Sequence, residues 1–137
     1  MNTHPYLRAY MAGVMIPTIF LLLVFVVFAV IRFGYNPEFP LERVLVFPLA
    51  LVPAIWGLWN IVYVAMHGRR RLPLGIHGAV VPAVLFPLAL VGARVFGFEF
   101  VARATPLILL TLPLLMIVYY LAWKYLVGFL NEMLGIA

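Results

Sequence analysis

Most of the polar side chains that could do chemistry in this sequence lie on one stretch, which ends at a run of arginines. Trp56, Asn60, Tyr63 and His67 follow one another at spacings of four, three and four residues. At 100° per residue in a helix, these spacings keep all four within about 40° of one direction. The stripe therefore predicts a shared helix face that carries an amide, a phenol and an imidazole.

A second polar group lies near the C-terminus. Tyr120, Lys124 and Asn131 share one face of the predicted helix. An amide in lipid usually hydrogen-bonds to another helix, for about 0.5–2 kcal/mol, so this group offers a partner for Asn60. Two interpretations stay open. The residues are contacts between helices, with Lys124 extending to the membrane interface, or they line a cytoplasmic pocket for a lipid headgroup or a similar anionic ligand.

Three consecutive arginines follow the stripe, and His77 lies beyond them. Cationic clusters beside membrane helices attract anionic headgroups, so we expect lipid contacts there. Two histidines on facing helices can ligate a haem iron, but histidines at helix ends more often meet backbone or water, and we expect no cofactor. The candidate binding residues are Trp56, Asn60, Tyr63, His67, Arg69, Arg70, Arg71, His77, Tyr120 and Lys124.

The missing residue types exclude most catalytic mechanisms. Cysteine, serine and aspartate do not occur, so the sequence has no thiol nucleophile and no Ser-His-Asp arrangement. The glutamates all lie in predicted loops or in the tail: Glu38, Glu42, Glu99 and Glu132. Ion-coupled transport usually requires an ionisable group at membrane depth. We therefore expect no catalytic residues, no metal site and no enzyme activity.

Four uncharged blocks determine which elements position these residues. They lie between Arg8 and Arg32, between Arg43 and His67, between Arg71 and Arg94, and between Arg103 and Lys124. A bilayer core about 30 Å thick is crossed by roughly 20 helical residues. Lipid provides no hydrogen-bond partner for an open backbone, so each block must be helical. The sequence predicts an all-α membrane protein with four transmembrane helices, spanning about 10–32, 44–66, 74–94 and 105–129.

The connectors between these spans are short, which predicts one transmembrane domain over residues 1–137, folded as a compact antiparallel bundle. Prolines occur inside the predicted spans, where each removes a backbone hydrogen bond and favours a kink. The interior prolines are Pro17, Pro48, Pro53, Pro82, Pro87 and Pro113, whereas Pro106 suits the first turn of the last span.

The charge pattern predicts orientation and excludes nucleic acid as a partner. The net charge is +5, but the basic residues flank apolar blocks and form no aromatic-interleaved patch. The short segment with Arg69–Arg71 contains three cations and no acid, which favours the cytoplasmic side. We therefore expect an integral protein of a bacterial inner membrane with both termini in the cytoplasm.

Three function classes are compatible with this pattern. The leading hypothesis is a non-catalytic accessory or structural membrane protein that packs against lipid, as a homo-oligomer or within a larger membrane complex. The alternative is a homo-oligomeric transporter or channel for an uncharged or lipid-like solute, built from proline-kinked helices. A redox or lipid-modifying membrane enzyme is the weakest of the three, because no residue pattern supports it.

Overall fold

The computed structural model describes residues 4–35, 41–44, 49–66, 72–97 and 99–136, with the backbone alone at 43, 44, 99–102 and 104. Within these ranges the chain is helical and contains no strand, which confirms the all-α prediction. The elements are α1 (Pro5–Gly34), α2 (Leu41–Val44), α3 (Leu51–Met66), α4 (Leu74–Val95), α5 (Glu99–Leu121), a π-helical segment (Ala122–Val127) and α6 (Gly128–Met133).

Three helical stretches are long and apolar enough to cross a membrane. They are α1 with 30 residues, α4 with 22 residues, and the 29 residues Thr105–Met133, which run through α5, the π-helical segment and α6. At 1.5 Å per residue, even α4 is about 33 Å long, which matches the hydrocarbon thickness of a bilayer. The first, third and fourth predicted spans are therefore confirmed as apolar helices of spanning length.

The second predicted span, 44–66, is described only in part. Residues 45–48, which include Pro48, lie outside the described part of the chain, and Leu49 has π-helical bonding. The described α-helix, α3, begins at Leu51 and has 16 residues, fewer than the roughly 20 that a span requires, so the length of the second span stays a prediction. Pro53 is the third residue of α3, where a backbone N–H has no helical partner to lose.

Proline placement differs from the prediction in the last span as well. The helix that contains Pro106 begins at Glu99, so Pro106 lies inside α5 and not in a first turn. Pro17 in α1, Pro82 and Pro87 in α4, and Pro113 in α5 are interior prolines, as predicted. Membrane helices tolerate such positions when neighbouring groups satisfy the freed carbonyl.

The chain divides into two compact units, and the first comprises Met1–Ala65 with Asn131–Ala137. In this unit α1 buries one face, formed by the small residues Ala9, Ala12, Gly13 and Pro17. A Cβ atom added at Gly13 would lie 2.5 Å from the carbonyl oxygen of Trp56. The backbones of α1 and α3 therefore touch at this point, which only small residues permit.

The second unit comprises Met66–Leu130 and is built on α4 and α5, which pack along each other. They run antiparallel because only residues 96–98 connect them. The π-helical segment continues α5, and its Trp123 side chain is fully buried. A Cβ atom added at Gly78 of α4 would lie 2.3 Å from the Trp123 ring, so the indole lies directly on the α4 backbone.

Candidate functional site

A buried amide pair is the main polar feature of the first unit. Asn60 of α3 and Asn131 of α6 are both fully buried. Asn60 Nδ2 donates to Asn131 Oδ1 at 2.8 Å, and Asn131 Nδ2 donates to Asn60 Oδ1 at 3.2 Å. Asn60 Nδ2 also donates to the carbonyl oxygen of Ala9 in α1, at 2.8 Å. We call these three groups the amide clasp.

The amide clasp connects three parts of the chain that are far apart in sequence. Amides in an apolar environment require partners, because an unsatisfied amide there costs several kcal/mol, about 4–8 on transfer to a pure hydrocarbon. Each of the two side chains both donates and accepts here, so the pair satisfies most of its own hydrogen-bonding capacity. The sequence-based expectation that Asn60 bonds to another helix is met, and the partner is Asn131.

A second long-range contact lies next to the amide clasp. Arg8 Nη1, at the start of α1, donates to the carbonyl oxygen of Leu134 at 3.1 Å. The guanidinium thus satisfies one of the carbonyls that a helix leaves open near its C-terminal end. The start of α1 and the residues that follow α6 therefore lie side by side.

The predicted binding residues fall into three groups. Trp56 is buried and Tyr63 half-buried on α3, in the same unit as the amide clasp. His77, Tyr120 and Lys124 belong to the second unit. The remaining four predicted site residues lie outside the described part of the chain: His67, Arg69, Arg70 and Arg71.

In the second unit, Lys124 and two tyrosines form a cation–aromatic group. Lys124 Nζ lies 6.0 Å from the centroid of the Tyr120 ring and 5.0 Å from that of Tyr125. Both distances fall within the range of cation–π attraction. The Tyr120 ring lies against Gly75, in the first turn of α4, where an added Cβ atom would be 2.7 Å from it.

The predicted common face of Lys124 and Asn131 is wrong. Lys124 is exposed, whereas Asn131 is fully buried. The π-helical segment explains the difference: the N–H of Gly128 donates to the carbonyl of Trp123, five residues back. Such bonding fits an extra residue into the turn, so a count at 100° per residue fails for the residues beyond it.

An ion pair connects the C-terminal end of α1 with α2. Arg32, in the last turn of α1, donates from Nη1 to Oε2 of Glu42, and both side chains are at least partly exposed. The pKa of the Glu42 carboxyl is lowered from its usual value, first by a hydrogen bond from its own backbone N–H and then by the Arg32 guanidinium. Both effects favour the charged form of the carboxyl.

Sequence reasoning missed two features of the first unit. One is the close contact between α1 and α3, and the other is the Ala9 carbonyl as a member of the amide clasp. A signal was present: Ala9, Gly13 and Pro17 are small or compact residues at a four-residue spacing. Such spacing places them on one helix face, where neighbouring backbones can approach. Gly57, whose added Cβ would lie 2.6 Å from the Tyr10 ring, is the matching small residue on α3.

The chemistry that these groups support is binding and packing. Among the described residues, no cluster of three or more histidines or carboxylates could hold a metal ion. The hydroxyls of Thr18 and Thr111 donate to carbonyls of their own helices. The chain matches no known protein family, curated protein sequence or solved structure.

Proposed function

We propose that this chain is a small multi-pass membrane protein with a structural or accessory role, embedded in lipid and without catalytic activity. The amide clasp is the observation that carries the proposal. Its amides, which could line a path for a polar solute, instead bond to each other and to the Ala9 carbonyl. Polar groups used in this way stabilise helix association.

The proposal includes one compact antiparallel bundle whose helices bend at their interior prolines. Support comes from each unit separately. In the first, Asn60 lies near Ala9 and Gly57 near Gly13, so α3 runs opposite to α1. In the second, α4 and α5 form an antiparallel hairpin. Such neighbours are the basic unit of an up-and-down helix bundle.

Lipid is the partner for most of the surface in this proposal. In α1 every buried residue lies at or before Pro17, and large apolar side chains such as Phe20 and Leu22 are exposed beyond it. A soluble protein rarely exposes so continuous an apolar surface. We propose anionic headgroups at Arg69–Arg71, because polybasic segments beside membrane helices attract them.

The proposed location is a bacterial inner membrane with both termini in the cytoplasm. The contact between Arg8 and Leu134 supports a shared side for the two ends of the chain. The arginine run supports the cytoplasmic side. Because the chain has no cysteine, single cysteines can be introduced at Tyr35 and at Met133, two exposed positions at opposite ends of the proposed topology.

Labelling of intact cells with a membrane-impermeant maleimide tests this topology. The Tyr35→Cys variant should react from outside, and the Met133→Cys variant should react only after the cells are lysed. The reverse pattern would refute the cytoplasmic termini. Equal labelling of both variants from outside would refute a membrane barrier between the two positions.

A permeation assay separates the accessory role from the transporter alternative. The purified chain is reconstituted into liposomes, and glycerol entry is followed by stopped-flow light scattering. We expect the same entry rate as in protein-free liposomes, and a particle of fixed composition when the tagged chain is extracted in native-lipid discs. A closed homo-oligomer that accelerates glycerol entry would overturn the proposal. Loss of that acceleration in an Asn60→Leu variant would place the amide in the path.

A further inference from the structure

Lys124 is the only lysine in the sequence. It lies in the π-helical segment between α5 and α6. Its side chain is exposed, and no described carboxylate pairs with it. Short π-helical segments interrupt α-helices frequently at functional sites. An exposed ammonium in such a segment therefore requires an explanation beyond packing.

The π-helical segment determines which way its residues face. Trp123 is fully buried against Gly78 of α4. The next two residues, Lys124 and Tyr125, are exposed, and Tyr125 keeps 60% of its surface accessible. Docking of the indole on one side of the helix thus presents the ammonium and a phenol together on the other side.

The position of Lys124 along the second unit corresponds to a membrane boundary. Tyr120 contacts Gly75, and Leu74 lies 3.5 Å from a Cβ atom added at Gly128. Residues 120–128 thus pack beside the first turn of α4. Since α4 is about as long as the hydrocarbon core is thick, its first turn lies at an interface. Lipid phosphates occupy this level, and tyrosine rings are enriched there.

We propose that Lys124, with the rings of Tyr120 and Tyr125 beside it, binds the phosphodiester of one anionic phospholipid. The ammonium supplies the opposite charge, and the two rings hold it in place by cation–π attraction. Each phenol hydroxyl is an additional donor for a phosphate oxygen.

The surroundings favour a lipid over free phosphate. Apart from Tyr125, the exposed side chains nearest in sequence to Lys124 are large and apolar: Leu121, Leu126 and Phe129 are all accessible. They can contact acyl chains, whereas inorganic phosphate would gain nothing from them. Bound lipid would then combine one charged contact with burial of apolar surface. The inference uses the proposed membrane embedding, but it does not depend on the accessory role.

Native mass spectrometry on protein released from discs of equal phosphatidylglycerol and phosphatidylcholine tests the site. The wild-type chain should retain one phosphatidylglycerol preferentially, and Lys124→Gln should weaken that retention about fivefold, the factor expected for one cation at the surface. Lys124→Arg should preserve it. The matched control is Arg94→Gln, which removes an exposed cation from the opposite end of α4.

The single lysine also permits a chemical readout. Reductive methylation of Lys124 should be slower in discs with phosphatidylglycerol than in neutral discs, when normalised to the α-amino group of the same chain. Inorganic phosphate in neutral discs should give no such protection. Phosphate protection equal to that of the lipid would overturn the choice of a lipid ligand.

The site itself is refuted if Lys124→Gln retains phosphatidylglycerol as the wild type does, or if Arg94→Gln loses as much. Unchanged tryptophan fluorescence and thermal unfolding of the variants confirm that they are folded. Lys124→Arg is the second variant if Lys124→Gln does not fold, and loss of retention in this folded, charged variant would refute the site. Failure of this test leaves the permeation result of the proposed function unaffected.

Discussion

The amide clasp provides the sharpest prediction about stability. Two of its three hydrogen bonds join Asn60 to Asn131, and the third joins Asn60 to the Ala9 carbonyl, so two single variants remove different numbers of bonds. Asn131→Ala removes the two bonds between the amides, whereas Asn60→Ala removes these and the bond to the Ala9 carbonyl. Interhelical hydrogen bonds in membranes average about 0.6 kcal/mol and reach about 1.7 kcal/mol. We therefore expect losses of unfolding free energy of about 1–2 kcal/mol for Asn131→Ala and about 2–3 kcal/mol for Asn60→Ala.

The double variant should be no less stable than Asn60→Ala alone, because the Asn131 side chain bonds to no other described group once Asn60 is replaced. The double-mutant cycle should thus give a coupling free energy of about 1–2 kcal/mol. The assay is equilibrium unfolding by SDS titration in mixed micelles, followed by fluorescence of the three tryptophans.

The matched control for this cycle is Thr18→Val. Its hydroxyl donates within its own helix, to the carbonyl oxygen of Val14 at 2.8 Å, so Thr18→Val should show additive behaviour with Asn60→Ala to within about 0.5 kcal/mol. A coupling below about 0.3 kcal/mol between Asn60 and Asn131 would refute the amide clasp. Strong coupling with Thr18 would show that the method reports a general loss of folding.

Two further predictions concern α1. Gly13→Ala should destabilise the chain by about 1–3 kcal/mol, because the added Cβ would meet backbone atoms that cannot rotate away. Gly34→Ala, with no atom of the described residues within 4 Å of the added Cβ, should have little effect. SDS unfolding measures both, and equal effects would contradict the close backbone contact. At the C-terminal end of α1, Arg32 pairs with Glu42 of α2. The pKa of Glu42 is lowered, so the stabilising contribution of its charged form should be present above its usual pKa and be lost as the pH falls through the lowered value. Carbon-13 NMR titration measures the pKa of Glu42, with the Glu42 signal assigned by its loss in Glu42→Gln. Arg32→Gln should raise this pKa only part of the way toward its usual value, since the backbone hydrogen bond remains. An unchanged pKa would remove the ion pair from the explanation.

The sequence alone determined the elements that lipid requires. An uncharged block that enters a bilayer must be helical, because any other backbone would leave hydrogen-bonding groups unsatisfied. This argument places α4 within one residue of its observed bounds. The same physics determined that Asn60 needs a hydrogen-bonding partner on another helix, because an amide in an apolar environment cannot remain unsatisfied.

The first part of the second predicted span stays a prediction, because residues 45–48 lie outside the described part of the chain. The charge pattern extends the apolar block back to residue 44. Pro53 is compatible with a first turn and incompatible with the helix interior unless its neighbours compensate. The described α-helix, α3, begins at Leu51, two residues before this proline.

Only the tertiary structure decided the identity and the surroundings of the polar contacts. Asn131 faces inward and Lys124 outward because Trp123 docks on Gly78 and the helix takes up π-helical bonding there. A helical periodicity in the sequence does not predict this change from α-helical to π-helical bonding, since the change results from the fit of one large ring against one glycine. The contact of α1 with α3 at Gly13 has the same origin. Spacing can place small residues on a face, but only the packed neighbour decides which of them touch.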